Sequence, residues 1–343
     1  MSAPWQGPPV LEAEGLSVTL DVPAGRLHAV SDIDLAVHAG ETLCLVGESG
    51  CGKSMTALAL MKLLPRRGKL AARRLTLEGR DLLPLGERAM NALRGERIGL
   101  ISQDPMTALN PVYTIGNQLE EIHRRHRGGS RAAARERAEY LLSRVGIASP
   151  GMRLGQYPHQ LSGGLRQRML IAAALMCGPA LLIADEPTTA LDVTVQAEIL
   201  RLFADLQREF RLALVLITHD LGVVARIGHQ VAVMYGGRVV ETGTVAEVFR
   251  APHHPYTRGL MDCIPAPGAR REARLGAIPG IVEPAIGERA GCGFRNRCVR
   301  AQPDCGVGDI HFRPLGTGHA YRCLLPPDAA LARPRPVAEV PAS

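Results

Sequence analysis

The chain has 343 residues, a length that fits two to three domains at roughly 150 residues each and is ample for a buried core. Hydrophobic residues make up 46% and charged residues 21%, the balance of a folded globular protein and not of a disordered chain. Aromatics at 3% argue against an aromatic-rich nucleic-acid platform, and the net charge of +7, nearly all arginine because Lys53, Lys62 and Lys69 are the only lysines, reads first as a solvated surface.

The N-terminus, MSAPWQGPPV, lacks a basic region followed by an apolar run, so no signal peptide and a cytosolic location are expected. Strands are expected over 18–22, 27–37 and 42–46, with turns at Pro23-Ala24-Gly25 and Ala39-Gly40. Apolar spacing predicts a helix from Lys53 to Leu64, stopped by Pro65. A short strand follows at 98–102. Residues 115–146 read as helical and basic on one face, interrupted at Gly128-Gly129. A helix over 164–177 ends at Gly178-Pro179. Then come a buried strand at 181–184, a helix at 193–210 and a buried strand at 212–218. This alternation predicts an α/β fold around a parallel sheet. The longest uncharged stretch, Met169 to Ala184, has 16 residues, short of the ~20 that a membrane span needs. Beyond residue 250 prolines accumulate (Pro252, Pro255, Pro265, Pro267, Pro279, Pro284) and periodicity fades, which places a boundary there. The last residues, 326–343, read as a flexible tail.

Gly47-Glu48-Ser49-Gly50-Cys51-Gly52-Lys53-Ser54, followed by Met55, fits G-x-x-x-x-G-K-[ST] between an expected strand and an expected helix. Glycines let successive N–H groups turn toward phosphate oxygens, and the helix N-terminus adds partial positive charge. Lys53 is the candidate for the β- and γ-phosphates and Ser54 for Mg²⁺. The apolar run Leu181-Leu182-Ile183-Ala184 ends in Asp185 and Glu186, a carboxylate pair suited to holding Mg²⁺ and to polarising an attacking water.

Leu161-Ser162-Gly163-Gly164-Leu165-Arg166-Gln167-Arg168 narrows the field, because LSGG-x-x-Q-R before a helix and the acidic strand resembles the signature of ABC-type ATPases. Gln103 in ISQDP resembles the Q-loop glutamine of that family, Asp192 in Thr189-Ala190-Leu191-Asp192 its D-loop, and His219 in Leu216-Ile217-Thr218-His219-Asp220 its switch histidine. Five motifs stand in the family's order over residues 10–245. The resemblance implies a P-loop ABC ATPase core with an antiparallel β subdomain and a helical subdomain at about 104–178, within a nucleotide-binding domain over 1–250. It implies Glu186, His219 and Gln103 as catalytic residues, Mg²⁺ held through Ser54, Gln103 and Asp185, and an LSGG cradle that faces the ATP of a partner subunit. The family usually stacks an aromatic ring on adenine; residues 16–30 contain no Phe, Tyr or Trp, and His28 is the only ring there.

Residues 251–325 resemble the C-terminal extension of the dipeptide and oligopeptide importers of this family, through His254-Pro255-Tyr256-Thr257, the helix expected to follow it with Leu260, Pro279-Gly280 and Gly291-Cys292-Gly293-Phe294-Arg295-Asn296-Arg297-Cys298. Cys292, Cys298, Cys305 and Cys323, spaced C-x5-C-x6-C-x17-C, are candidate ligands for a [4Fe–4S] cluster or for Zn²⁺. Arg295, Arg297 and Arg300 are expected to offset the charge of four thiolates. His311 and His319 read as structural. The resemblance implies a peripheral subunit on the cytoplasmic face of a prokaryotic inner membrane. Its partners would be two integral membrane permease subunits, a second and usually non-identical ATPase subunit, and an external substrate-binding protein. No nucleic acid is expected; the competing reading is a soluble ABC ATPase that acts on nucleic acid or ribosomes.

Overall fold

The structure, a computed structural model, describes residues 7–104, 108–189, 191–263, 278–287, 290–316 and 318–327. Pro105, Ala190, Pro265, Pro267 and the tail from 328 onward lie outside the described residues. In chain order the strands are β1 (Leu11–Val22), β2 (Gly25–Val37), β3 (Thr42–Val46), β4 (Gly68–Ala71), β5 (Arg74–Leu77), β6 (Arg80–Asp81), β7 (Ile98–Ile101), β8 (Leu181–Asp185), β9 (Ala213–Thr218), β10 (Gln230–Tyr235), β11 (Arg238–Thr244), β12 (Arg313–Pro314) and β13 (Ala320–Tyr321). The helices used below are α1 (Lys53–Leu60), α2 (Glu87–Leu93), α3 (Ile115–Arg127), α4 (Arg131–Arg144), α5 (Gly163–Leu175), α6 (Val193–Phe210), α7 (Leu221–Ile227), α8 (Val245–Arg250) and α9 (Pro255–Asp262). Two compact units emerge, one over 36–42 and 76–217 with the first residues, the other over 13–35, 43–75 and 218 onward.

In the first unit β7, β8 and β9 run parallel with β8 in the middle, Gly99 opposite Leu182 and Ile183 opposite Val215. All of β9 and the first four residues of β8 are buried, the continuous apolar run that a strand covered on both faces requires. The helical stretch expected over 115–146 is two helices. Thr114 caps α3 by accepting the Asn117 N–H at 3.3 Å, and Ser130 caps α4 by accepting the Ala133 N–H at 3.2 Å. Between them Gly128 and Gly129 take φ of 67° and 84°, which a side chain would oppose. Helix α6 buries Ile199, Leu200, Leu202, Phe203 and Leu206 on one face.

In the second unit β1 neighbours β2 and pairs antiparallel with β4, Val18 opposite Leu70, which supplies the expected antiparallel β layer. β3 and β10 are parallel, Cys44 opposite Val231. β10 turns back at Gly236-Gly237 into antiparallel β11; β13 then pairs with β11 and β12 with β13. The C-terminal segment therefore extends the sheet that holds β3, and the described residues past the boundary expected near 250 cluster with this unit. Glu241, fully buried on β11, accepts hydrogen bonds from the N–H groups of His253 (2.8 Å) and His254 (2.9 Å) and meets His319 Nε2 at 2.9 Å. One carboxylate thus ties β11 to the entry of α9 and to the residue before β13, the compensation that a buried charge needs. Among the described residues no helix is long and apolar enough to cross a membrane.

Helix α8 opens with a capping box: Thr244 Oγ1 accepts the Glu247 N–H at 3.2 Å, and the Glu247 carboxylate accepts the Thr244 N–H at 3.0 Å. Thr244→Ala is expected to cost about 1 kcal/mol of unfolding free energy. Urea denaturation of the full chain checks this, and an unshifted midpoint would mean that the box contributes nothing.

Candidate functional site

The loop of residues 47–54 joins β3 to α1 in the second unit, as its spacing predicts. Its path leaves no room for side chains at two glycines. A Cβ at Gly47 would lie 2.3 Å from the Met234 carbonyl oxygen, and one at Gly52, where φ is 108°, 2.4 Å from that of Ala29. Gly50, also at positive φ, has open space around it. Gly52 is the N-cap of α1, and no side chain caps the helix, so its first N–H groups are free of a competing acceptor from a cap. Lys53 is buried and curls over the loop: its ammonium donates to the carbonyls of Gly47 (2.7 Å) and Glu48 (3.0 Å). Ser49 and Ser54 are exposed, Met55 is half-buried, and Cys51 is buried with its thiol pushed up by desolvation against the opposing pull of Lys53. The result is a concave run of backbone with a cation and uncapped N–H groups, the chemistry of a polyphosphate cradle.

Glu48 is held from three sides. Its N–H donates to Tyr256 Oη at 2.8 Å, its carbonyl receives Lys53, and its carboxylate takes a two-pronged contact from Arg297 at 2.6 and 2.9 Å. Both partners come from the C-terminal segment, more than 200 residues away in sequence, and no local spacing announces them. Arg297 is therefore directed to Glu48 and not to the cysteines, which corrects the expectation of its neutralising them. His219, also in this unit, is exposed after β9, beside Asp220, which accepts the Gly222 N–H at 2.7 Å and opens α7. His28 lines a cavity of about 300 Å³ with Ser31, Tyr235, Arg238, Cys292 and Arg322.

The first unit carries the acidic residues. Asp185 ends β8 and Glu186 follows it at φ 47°, a left-handed conformation that costs energy for a residue with a Cβ and is held here by the Glu186 N–H donating to Ile217 O at 2.9 Å. The Glu186 carboxylate accepts from Gln103 Nε2 at 3.2 Å and from Thr189 Oγ1 at 2.9 Å. The structure thus brings together Gln103 and Glu186, 83 residues apart. Ser162 is exposed and caps α5, its hydroxyl accepting the Leu165 N–H at 3.4 Å; Gly163 beside it is exposed. Gly164 packs closely on α6, where a Cβ would meet Val195 at 3.0 Å. Leu161 and Gln167 are buried, so the exposed part of this cradle is Ser162-Gly163. Asp192 caps α6 by accepting the Val195 N–H at 2.9 Å.

In the second unit Cys292, Cys298, Cys305 and Cys323 line one small pocket with His254, Phe294, Arg295 and Arg300. Each sulfur accepts from a backbone N–H: Cys292 from Phe294, Cys298 from Arg300, Cys305 from Gln302 (3.5 Å) and Cys323 from Leu325. Burial pushes the Cys292 thiol up to about 11 and raises Cys298 and Cys323. No set of three or more His, Cys, Asp or Glu among the described residues is gathered tightly enough to hold one metal ion. His254 Nδ1 accepts the Tyr256 N–H at 3.1 Å, and burial holds its pKa down at about 4, which keeps the ring neutral.

Gly52→Ala forces a side chain against the Ala29 carbonyl at a left-handed φ, at a cost on the order of 1–3 kcal/mol. The variant is expected to fold less stably and to lose most of its ATP binding, measured by equilibrium dialysis; wild-type affinity would mean that the loop's path is not what binds.

Two family profiles match the chain, one described as ABC transporter over residues 30–189, the other as the C-terminal region of oligopeptide/dipeptide transporters over 240–305. A putative peptide import ATP-binding protein of Brucella abortus is 49% identical over 327 residues, covering 92% of this chain and 97% of that one. The dipeptide transport ATP-binding protein of Escherichia coli K12 is 44% identical, covering 94% and 98%. The oligopeptide transport ATP-binding protein of Bacillus subtilis is 45% identical, covering 95% and 91%. Among solved structures, a dimeric ATP-binding cassette bound to ADP and phosphate superposes with a TM-score of 0.61 at 26% identity, over 68% of this chain and 98% of that one. With identity near one half along almost its whole length, the chain belongs to the ATP-binding subunits of the ABC transporter family, in the oligopeptide/dipeptide transporter branch.

Proposed function

We propose that this chain hydrolyses ATP to drive an importer of dipeptides, oligopeptides or related small solutes. The observation that carries the reading is the joining, in one chain, of an ABC ATPase region to the C-terminal region of the oligopeptide/dipeptide transporters. In this reading the chain works peripherally on the cytoplasmic face of the inner membrane. Two permease subunits, a second and related ATPase subunit and an external substrate-binding protein complete the machine. Its domains are the ATPase region over 1–250, the extension over 251–325 and the tail. The relatives described above all carry transport names, and none supports action on nucleic acid.

The residues have separable tasks. The loop of 47–54 holds the phosphates through its N–H groups and Lys53. Ser54, Gln103 and Asp185 offer hydroxyl, amide and carboxylate oxygens, the hard donors that suit Mg²⁺, which would neutralise charge on the phosphates. Glu186 accepts a proton from the attacking water, with Gln103 and Thr189 orienting its carboxylate. His219 orients the water against the γ-phosphate. Ser162 and Gly163 present the second cradle, toward the ATP of the partner ATPase subunit, and Asp192 lies at that junction.

The four cysteines supply the donor chemistry of a [4Fe–4S] cluster, which is the reading proposed for this segment. Four thiols line one pocket with a backbone N–H on each sulfur, a recurrent feature of cluster ligation, and Zn²⁺ is the alternative for the same four ligands. Such a cluster would require deprotonated thiols and would pin the four segments together.

Glu186→Gln is expected to retain ATP binding while steady-state hydrolysis falls at least ~100-fold; undiminished turnover would remove Glu186 as the base. Copurification of the tagged chain with integral membrane subunits tests the importer reading, and failure to capture any would overturn it. Anaerobic purification is expected to yield a brown protein with about four irons and four sulfides per chain, both lost in Cys298→Ser. A colourless protein with one zinc would make the segment a structural clip.

A further inference from the structure

The described C-terminal segment reaches the phosphate loop through Tyr256, which accepts the Glu48 N–H, and through Arg297, which alone grips the Glu48 carboxylate with charge. Arg297 lies between Cys292 and Cys298, in the turn that leads from one wall of the cysteine-lined pocket to the next. Its side chain is 5% exposed, and its guanidinium is fully engaged within the second unit. Both terminal nitrogens fork onto the Glu48 carboxylate, Nε donates to the Pro279 carbonyl at 2.7 Å, and Nη2 also donates to that of Ile278 at 3.2 Å. The plane stands 5.7 Å from the centre of the Tyr235 ring and 6.0 Å from that of Phe294. Those rings pack edge-on at 5.1 Å, and each touches Tyr256, whose hydroxyl accepts the Glu48 N–H. An exposed ion pair contributes little, but a forked one with a buried guanidinium fixes both position and plane.

Glu48 in turn fixes Lys53. The lysine's ammonium is steered by two carbonyls, those of Gly47 and Glu48, and the second moves with whatever holds Glu48. Resting on the assignment of residues 47–54 as the phosphate cradle, we propose that Arg297 is a positioning residue for nucleotide binding, which sets Lys53 and the loop through its fork on Glu48. The C-terminal segment is then part of the nucleotide site, without touching nucleotide.

The test is a double-mutant cycle on the full chain, with the dissociation constant for a non-hydrolysable ATP analogue with Mg²⁺ and the melting temperature both measured. Arg297→Ala and Glu48→Ala are each expected to weaken binding roughly tenfold, with the double variant no weaker than either single. Arg297→Lys, which keeps the charge but not the fork, is expected to fall between wild type and Arg297→Ala. A purely structural arginine would lower the melting temperature and leave the affinity within about twofold of wild type; that result, or effects that add in the double variant, overturns the proposal. Where Arg297→Ala does not fold, Arg297→Lys decides: wild-type affinity overturns the proposal and weakened affinity supports it. A wild-type chain that binds no nucleotide overturns the ATPase reading itself, and the positioning role with it.

Discussion

The phosphate loop runs through space that admits no side chain at two of its glycines, and much of the second unit is arranged around that fact. At Gly47 the obstruction is the Met234 carbonyl on β10, and at Gly52 it is the Ala29 carbonyl on β2. Two strands that share no local sequence with the loop therefore fix its curvature from opposite ends. The same closeness lets the Gly237 N–H donate to Cys51 O at 2.9 Å, so the β10–β11 turn is fastened to the middle of the loop. A loop held this way keeps one curvature, set by strands on either side of it and not by its own sequence.

The reading of the sequence succeeded where a residue's role is set by its neighbours in the chain. The loop, the acidic strand end, LSGG and the helices capped at Ser130, Ser162 and Asp192 are local patterns, and each sits on the element expected. It failed where distant packing decides. Helix α1 stops at Leu60 and not at Leu64, because Lys62 turns into a left-handed conformation at φ 52°, which apolar spacing does not reveal. The β10–β11 hairpin, α7 and α8 carry too short a period to be singled out, whereas α9 is the helix expected with Leu260 after His254-Pro255-Tyr256-Thr257. Burial of Gln167 within the signature, and the binding of Glu48 by Arg297 and Tyr256, depend on contacts that the linear text does not contain.

The four cysteines illustrate a third case, in which the sequence gathers the right atoms but not their state. Their clustering is visible in the spacing; that each sulfur receives a backbone N–H, and that burial favours the protonated thiol at Cys292, Cys298 and Cys323, is visible only in the fold. Burial makes uncompensated thiolates costly in such a pocket. Of the three arginines near it in sequence, Arg295 and Arg300 line the pocket and Arg297 turns away.

The pairing of β13 with β11 has a consequence for how the gene can be cut. A chain ended after α8 would keep β11 but strip its outer side, leaving a row of unpaired backbone groups along an open edge. It would also leave Glu241, at the centre of that edge, without the two histidine N–H groups and the imidazole that now compensate its charge. A shortened cassette would therefore be born sticky, prone to adding strands from its neighbours. The extension is thus a seal on the sheet, and a nonsense mutation within it should yield aggregates and not a simplified motor.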